Sequence, residues 1–398
     1  MNYYKELKKK IKKNKAIVCV IGLGYVGSAI IEKFDSKNFR TIGIDKDKRK
    51  FTFLSKKKMK LTTEYKFIDL ADIIIIALPT PLKNNMSPDL SYIEGCMQKI
   101  KPYLKKGQLI SLESTTYPGT TEEIILPILK KRNFTISKDF FLVYSPERIS
   151  PEIKIKNKKI KYKFHNTPKI YSGYSNQCKS LAALLYKKVT KKVILASSLK
   201  MAETTKMIEN IFRSINIGLV NELKMFLDKV NIDINEALDL ADTKPFGFTK
   251  FSPGPGYGGH CIPLDPFYLY WLAKKNNFKL KFINTSGMVN REVVNWITNK
   301  ILKFIKTKKI KLIKKKILIL GVAYKANIDD TRESPAFKIA KELKKNGFDF
   351  EYSDPYVKKI EFENVIKKSK NISVKLLKQY PIVLITTDHS KFNYDLIS

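Results

Sequence analysis

The chain has 398 residues, 43% of them hydrophobic and 28% charged, which is typical of a soluble protein long enough for two or three domains. No apolar run approaches the ~20 residues that a membrane-spanning helix needs, and the basic start of the chain leads into a strand pattern instead of a signal sequence. The 76 basic and 37 acidic residues leave a net charge of +39, but the lysines are scattered and lack the interleaved aromatic residues of a nucleic-acid groove, so neither nucleic acid nor a membrane is predicted as a partner.

The first third of the chain alternates short apolar runs with helical patterns. The runs are "AIVCVIG", "TIGID", "DIIIIALP", "QLISLES" and "FFLVYSP". Strands that are almost entirely apolar are covered on both faces, and helices between such strands indicate a parallel, doubly wound sheet. "KKVILAS" is predicted to add the last strand, which places a first domain at residues 1–197.

The glycine-rich segment "VIGLGYVG" directly follows the first predicted strand and carries Gly22, Gly24 and Gly27. In a dinucleotide-binding loop these glycines make the tight turn, admit the pyrophosphate and allow close helix–strand packing. Asp45 ends the next strand and is placed to bind the adenosine ribose hydroxyls, which favours NAD over NADP. Lys50 and the other basic residues after Asp45 weaken that preference, and a glycine turn without a ligand is the alternative.

A long helical pattern runs from about Ser198 to Val230, and helices of this length commonly bridge domains or form a dimer face. One row along it contains Glu203, Lys206, Asn210 and Arg213, and the apolar residues Ile208, Ile211, Ile215 and Leu219 occupy another face. A solvated stripe with helix salt bridges is the alternative to a functional row, and the pattern alone does not decide between them.

After Lys316 the strand–helix alternation resumes with "KKILILGVAYK", "FDFEYSDPYV" and "YPIVLITTDH". The sequence therefore predicts an α/β protein with two Rossmann-like, doubly wound domains joined by a helical middle domain that contains a long central helix. The domains are placed at residues 1–197, 198–300 and 301–398.

The four cysteines, Cys19, Cys96, Cys178 and Cys261, are far apart and lack metal-ligand spacing, so no metal site is predicted and a reducing, cytoplasmic location is expected. Cys261 differs from the others because it lies in "FSPGPGYGGHCIPLDP", where a glycine-rich run precedes it and Asp265 follows. Such glycines indicate a sharply turning backbone that something approaches closely, which is typical of a site and not of a core.

Six motifs in this order, "GLGYVG", "LPTP", "ESTTYPGT", "YSPER", "AETTKMIEN" and "GPGYGGHCIPLDP", resemble those of the nucleotide-sugar 6-dehydrogenases. "GVAYKANIDDTRESPA" and "SDPYV" extend the resemblance over nearly the whole chain. It implies an NAD-dependent, four-electron oxidation of a UDP-sugar to the uronate by a homodimer, for surface-polysaccharide precursor synthesis. "TKPFGF" and "PTPL…PDLSYI" are most similar to the UDP-N-acetylglucosamine enzymes, with UDP-glucose or UDP-N-acetylmannosamine as the alternative substrates.

The resemblance also implies roles for individual residues. Cys261 would be the nucleophile that captures the aldehyde, Lys206 and Asn210 would stabilise the oxyanion, Asp265 would hold Lys206 and a water, and Glu147 would assist hydrolysis. The implied substrate-binding residues are Glu147, Arg148, Lys206, Asn210, Arg213, Tyr257, Gly258, Tyr324 and Lys325. The implied cofactor-binding residues are Gly22, Gly24, Tyr25, Val26, Gly27, Asp45, Lys50, Thr80, Thr115 and Arg332.

Two departures from the family pattern stand out. A lysine-rich run follows "SPERISP" where members usually continue with Pro-Gly, and the sequence ends before the strand with an Asp-x-Arg that they usually carry, so the third domain is expected to be short at its C-terminus. Two other functions stay open: a two-electron hydroxyacid dehydrogenase, whose chemistry has no need of Cys261, and an inactive basic binding protein on the same scaffold.

Overall fold

The computed structural model describes residues 2–54, 59–148, 153–155, 158–160, 167–259, 262–310 and 315–397. The chain divides into two compact units, Met1–Ile208 and Glu209–Ser398. The domain boundaries placed after residues 197 and 300 stay a prediction.

The first unit contains strands and helices in alternation. Its strands are β1 (Ile17–Ile21), β2 (Arg40–Ile44), β3 (Lys60–Thr62), β4 (Ile73–Ile76), β5 (Leu109–Leu112), β6 (Phe141–Tyr144), β7 (Ile153–Ile155), β8 (Lys158–Ile160), β9 (Lys169–Gly173) and β10 (Val193–Leu195). Its α-helices are α1 (Tyr3–Lys12), α2 (Tyr25–Asp35), α3 (Ser91–Ile100), α4 (Leu126–Lys130) and α5 (Asn176–Lys187). Short 3₁₀ turns span Lys48–Phe53, Tyr65–Leu70 and Lys101–Tyr103, and a π-helical turn spans Thr121–Ile125.

Eight of these strands form one sheet in the order β10–β9–β6–β5–β4–β1–β2–β3. The pairs are parallel except β6–β9, which is antiparallel, so β9 and β10 run opposite to the rest. The strand Ile73–Ile76 shows why the pattern is continuously apolar, since all four side chains are fully buried between covering layers. The predicted α/β class is confirmed, and "KKVILAS" does supply the edge strand β10.

The predicted long helix is also confirmed. Helix α6 (Leu199–Lys229) has 31 residues, close to the expected range, and the boundary between the two units falls on it. Within the described part of the chain, no helix is long and apolar enough to cross a membrane.

The second unit continues with helices and a smaller sheet. Its other helices are α7 (Ile234–Ala241), α8 (Asp265–Lys275), α9 (Lys281–Thr307), α10 (Pro335–Lys345), α11 (Val374–Leu377) and α12 (Tyr394–Ile397). Its strands are β11 (Lys316–Leu320), β12 (Asp349–Ser353), β13 (Lys359–Phe362), β14 (Val365–Lys368) and β15 (Val383–Ile385).

Strands β12, β11 and β15 form a three-stranded parallel sheet with β11 in the centre, and β13 and β14 form a separate hairpin. Helices α9 and α10 pack on this sheet through a buried cluster that includes Val294, Ile317, Ile339 and Leu343. Ligands of open parallel sheets bind at the carboxyl ends of the strands, and Gly321, at a φ of +78°, begins the loop that leaves β11 at that end.

Candidate active site

The glycine loop of the first unit is shaped by close backbone packing. A Cβ on Gly22, which has a φ of +90°, would lie 2.5 Å from the Ala77 carbonyl oxygen. A Cβ on Gly27 would lie 1.8 Å from the Gly22 carbonyl oxygen, whereas one on Gly24 would meet open space. Helix α2 begins directly after Gly24, so the loop presents a helix N-terminus with an open approach. That geometry suits a phosphate group.

Asp45 lies where β2 ends and is buried. One carboxylate oxygen accepts hydrogen bonds from the Leu23 backbone N–H at 2.7 Å and the Lys50 ammonium at 2.8 Å, and the other accepts from the Asp47 N–H. The predicted ribose-binding acid therefore also anchors the glycine loop.

Thr80 and Thr115, both expected to contact NAD, lie together after β4 and β5, where the Thr80 hydroxyl donates to the Thr115 carbonyl at 2.8 Å. Tyr25, the first residue of α2, is 55% exposed, and Val26 packs partly into the core. These residues fit a dinucleotide, because the open loop, the helix N-terminus and the acid at the end of β2 are the parts that such a cofactor requires.

Glu147 is buried after β6 beside two other charged side chains. Its carboxylate accepts the Arg148 N–H at 2.7 Å and the Lys169 ammonium at 2.7 Å. Lys169 also pairs with Glu113 at 2.5 Å. The Arg148 guanidinium donates to the Pro168 carbonyl at 3.0 Å. The expected acid of hydrolysis is thus held in a fixed charge cluster.

The predicted row on α6 is mixed: Glu203 and Asn210 are buried, whereas Arg213 is exposed. Glu203 is fully buried and accepts hydrogen bonds from the Gly119 N–H and from the N–H and hydroxyl of Thr121, so it caps the π-helical turn. Burial raises its pKa to about 7 although these hydrogen bonds oppose the shift. Lys206 is half-buried, and its ammonium makes no hydrogen bond or ion pair with the described residues.

In the second unit, α6 and α8 bring together two predicted catalytic residues. The Asn210 amide donates to the Asp265 carboxylate at 2.5 Å, and the two residues are 6% and 3% exposed. Asp265, which was expected to hold Lys206, therefore has Asn210 as a partner. Cys261 and the preceding His260 lie outside the described residues.

The glycines before Cys261 allow a tyrosine ring to approach. A Cβ on Gly258 would lie 2.7 Å from the Tyr324 Cβ, and one on Gly259, which has a φ of +85°, would lie 2.7 Å from the Tyr324 ring. The Gly259 N–H also donates to the Arg332 carbonyl at 2.9 Å. The loop and the segment after β11, both expected to bind substrate, are thus packed against each other.

Cationic groups gather near this loop. Burial lowers the pKa of Lys325, and the neighbouring positive charge of Arg213 lowers it further. The Tyr257 side chain is hydrogen-bonded to Ser214 and lies near Arg291, and burial raises the pKa of Tyr257. Two adjacent cations of this kind suit an anionic ligand such as a diphosphate. Arg332 is exposed and pairs with Asp330 at 2.6 Å.

Three buried charged residues were not selected from the sequence as site residues. Glu113 and Lys169 form the ion pairs beside Glu147, and Glu203 was noticed only as part of the helical row. A signal was present for Glu113, since an acid directly follows the apolar run "QLISL". Lys169 had no such signal in a lysine-rich chain.

Three models of one protein family match the chain. They are the NAD binding domain of the UDP-glucose/GDP-mannose dehydrogenase family at residues 52–190, its central domain at 200–292 and its UDP binding domain at 318–397.

Individual relatives give the same result over most of the length. The chain is 31% identical to a UDP-N-acetyl-D-glucosamine 6-dehydrogenase of Salmonella typhi, covering 94% of this chain and 90% of the relative. It is 32% identical to a UDP-N-acetyl-D-mannosamine dehydrogenase of Campylobacter jejuni, covering 94% of this chain and 96% of the relative. The solved structure of a UDP-D-ManNAc dehydrogenase from Pyrococcus horikoshii is similar, with a TM-score of 0.82, 27% identity and coverage of 96% and 92%.

Proposed function

The chain belongs to the UDP-glucose/GDP-mannose dehydrogenase family, and on that premise we propose that it oxidises the C6 hydroxyl of a UDP-sugar, UDP-N-acetylglucosamine, to the carboxylate. In the balanced reaction, one primary alcohol, one water and two oxidised dinucleotides give one carboxylate, two reduced dinucleotides and three protons. When bound, NAD supplies the acceptor for each of the two hydrides.

The buried hydrogen bond between Asn210 and Asp265 is the observation that carries the proposal. Burying an amide against a carboxylate costs desolvation free energy, so such a pair needs a reason beyond packing. Asp265 follows Cys261 by four residues in the sequence. A fixed amide donor and a fixed carboxylate near a cysteine are what acyl chemistry at a thiol requires.

In the proposed reaction, the Cys261 thiolate adds to the aldehyde carbon formed in the first oxidation, and loss of a hydride from this adduct leaves a thioester. A water then attacks the thioester carbon and passes a proton to Glu147. The carbon–sulfur bond breaks, which regenerates the thiolate and releases the carboxylate. Lys206 and Asn210 stabilise the oxyanion that precedes this cleavage.

We assign the anionic end of the substrate to Arg213 and Lys325; burial lowers the pKa of Lys325, and the neighbouring Arg213 charge lowers it further. Tyr257, Gly258 and Tyr324 would line the sugar and the nucleotide. An arriving diphosphate would relieve the repulsion between the two cations, which favours binding.

UDP-N-acetylmannosamine is the second candidate substrate, because the relatives of that name are as similar to the chain as those named for the glucosamine epimer. The choice of UDP-N-acetylglucosamine rests on the segments "TKPFGF" and "PTPL…PDLSYI".

A homodimer through α6 is part of the proposal. Phe212, Leu219, Leu223 and Phe226 lie on one side of this helix and are between 39% and 58% exposed. A second copy of the chain would cover this apolar surface, which is costly to leave in water.

The test incubates purified protein with NAD and each of UDP-N-acetylglucosamine, UDP-N-acetylmannosamine and UDP-glucose, and measures NADH absorbance and the sugar product. Two NADH per uronate are expected with the preferred sugar. The Cys261→Ser variant is expected to form no uronate while still binding the UDP-sugar, and Cys96→Ser, at a buried cysteine of α3, serves as the control. One NADH per sugar with a stable aldehyde product would rule out the four-electron reaction.

A further inference from the structure

Three charged side chains of the first unit form a buried cluster at one edge of its sheet. Glu113 follows β5, Glu147 follows β6, and Lys169 begins the antiparallel strand β9, so all three lie at the same end of neighbouring strands. The Lys169 ammonium is 2.5 Å from a Glu113 oxygen and 2.7 Å from a Glu147 oxygen. The side chains of Lys169, Glu113 and Glu147 are 3%, 0% and 6% exposed.

The cluster contains two acids and a single base. Burial and the neighbouring Glu147 charge raise the pKa of Glu113, while the Lys169 charge opposes this shift. Burial tends to lower the pKa of Lys169, but the two carboxylates outweigh burial and raise it. Other groups that face the cluster include Arg148, whose backbone N–H donates to Glu147 at 2.7 Å, and the Tyr186 hydroxyl, which donates to Glu113 at 2.8 Å. Tyr25 also lies near Glu147, and its pKa is raised by burial and by the Glu147 charge.

A packing role alone needs only one carboxylate beside a buried lysine. Here one ammonium, that of Lys169, pairs with two carboxylates, so its positive charge balances Glu113 and Glu147 together and neither of them fully. A carboxylate that is fully paired with a cation is a weak base, whereas an unpaired buried carboxylate becomes protonated. The shared ammonium therefore fixes the position of the Glu147 carboxylate while Glu113 fixes the ammonium.

We propose that Lys169 is a positioning residue for thioester hydrolysis: its ammonium holds the Glu147 carboxylate in the orientation in which it takes a proton from water, and Glu113 holds that ammonium from its other side. This inference rests on the proposed function, in which Glu147 receives that proton.

The experiment follows uronate formation against pH in the wild type, Lys169→Met, Lys169→Arg and the double variant Lys169→Met/Glu113→Gln. Intact-protein mass spectrometry during turnover detects enzyme that carries the sugar as a thioester. Thermal unfolding and NAD binding report on folding. The wild type is measured first, since the absence of uronate there would refute the proposed function without involving Lys169.

In Lys169→Met, removal of the cation is expected to move the acid limb of the pH profile about 1–3 pH units upward. Acyl-enzyme is expected to accumulate, and kcat to fall more than KM changes. Lys169→Arg should restore much of the wild-type profile. In the double variant the limb should move back down, because the like charge of Glu113 is gone as well.

A profile that keeps its acid limb in folded Lys169→Met, or a double variant whose limb rises further, would overturn the proposal. If Lys169→Met does not fold, Glu113→Gln alone decides: its acid limb should move to lower pH, and a limb that stays in place or rises refutes the role.

Discussion

Replacing Gly258 by alanine tests whether the packing of the glycine loop on Tyr324 supports substrate binding. The added methyl carbon would lie 2.7 Å from the Tyr324 Cβ and 2.8 Å from the Glu333 carbonyl oxygen. Neither atom can rotate away, because one is the root of a side chain and the other is backbone. Gly254 offers a matched control in the same loop, since its added methyl would meet no atom within 4 Å.

Overpacking of this kind costs about 1–3 kcal/mol. A loop that shifts to relieve the clash is expected to weaken UDP-sugar binding by roughly 5- to 150-fold, which is the same free energy expressed as affinity. Gly254→Ala should leave binding unchanged and stabilise the fold by at most about 1 kcal/mol, because it reduces the freedom of the unfolded chain.

The unfolding assay reports on the relevant unit, because both tryptophans, Trp271 and Trp296, lie within residues 209–398. Denaturant unfolding followed by tryptophan fluorescence gives the stability change, and calorimetric titration with the UDP-sugar gives the affinity. Equal behaviour of Gly258→Ala and Gly254→Ala would refute the reasoning, since only the first should disturb Tyr324.

Three further predictions follow from single residues. Burial raises the pKa of Glu203 from 4.5 to about 7, so the folded chain binds a proton on this carboxyl group more tightly than the unfolded chain does. The unfolding free energy should therefore fall by about 3 kcal/mol as the pH rises from 4.5 to 7. Denaturation measured against pH should show that Glu203→Gln removes this fall and that Glu222→Gln, at an exposed position, keeps it. Asp265→Asn should lower kcat at least about tenfold through loss of the carboxylate that holds Asn210, whereas exposed Asp242→Asn should not, and equal kcat values would contradict the assignment. Phe226→Asp should shift the mass measured by analytical ultracentrifugation from dimer to monomer, and an unchanged mass would remove α6 from the interface.

The local patterns that sequence analysis used best were those that burial imposes directly. The strand Ile73–Ile76 is apolar at every position because both faces of the sheet are covered, and α6 was located to within about one residue from its period alone. Fold class therefore followed from the sequence with little help from distant contacts.

The direction of individual strands and the contacts between distant segments could not be predicted from the sequence. The antiparallel direction of β9 depends on how the chain returns to the sheet, which no local pattern encodes. Tyr324 and Gly258 are far apart in the sequence, so the glycines predicted a close contact but did not show that Tyr324 makes it. Lys169 was hidden for another reason: among so many lysines, one that is buried and paired looks the same in the sequence as one that is solvated.

Helix α6 inverts the usual arrangement of a globular helix within the second unit. At 100° per residue, Asn210, Ser214 and Asn221 point to one side and are buried, while the exposed Phe212, Leu219, Leu223 and Phe226 point to the opposite side. The buried side is hydrogen-bonded throughout: Asn210 to Asp265, Asn221 to Asn290 and the Gly254 N–H, and the Ser214 carbonyl to the Ser286 hydroxyl.

Such an inversion is stable only if both sides are compensated. Hydrogen bonds satisfy the polar side within one chain. On the apolar side Phe212 contacts the Phe251 ring, but the four apolar side chains stay 39–58% exposed, which favours cover by a second surface. If α6 both orients Asn210 and joins two chains, a variant that separates the dimer should have a lower kcat in addition to a lower measured mass. The reason is that the helix that carries the Asn210 amide would lose its contacts with the second chain. A monomeric Phe226→Asp variant with wild-type kcat would show that the two sides of α6 act independently.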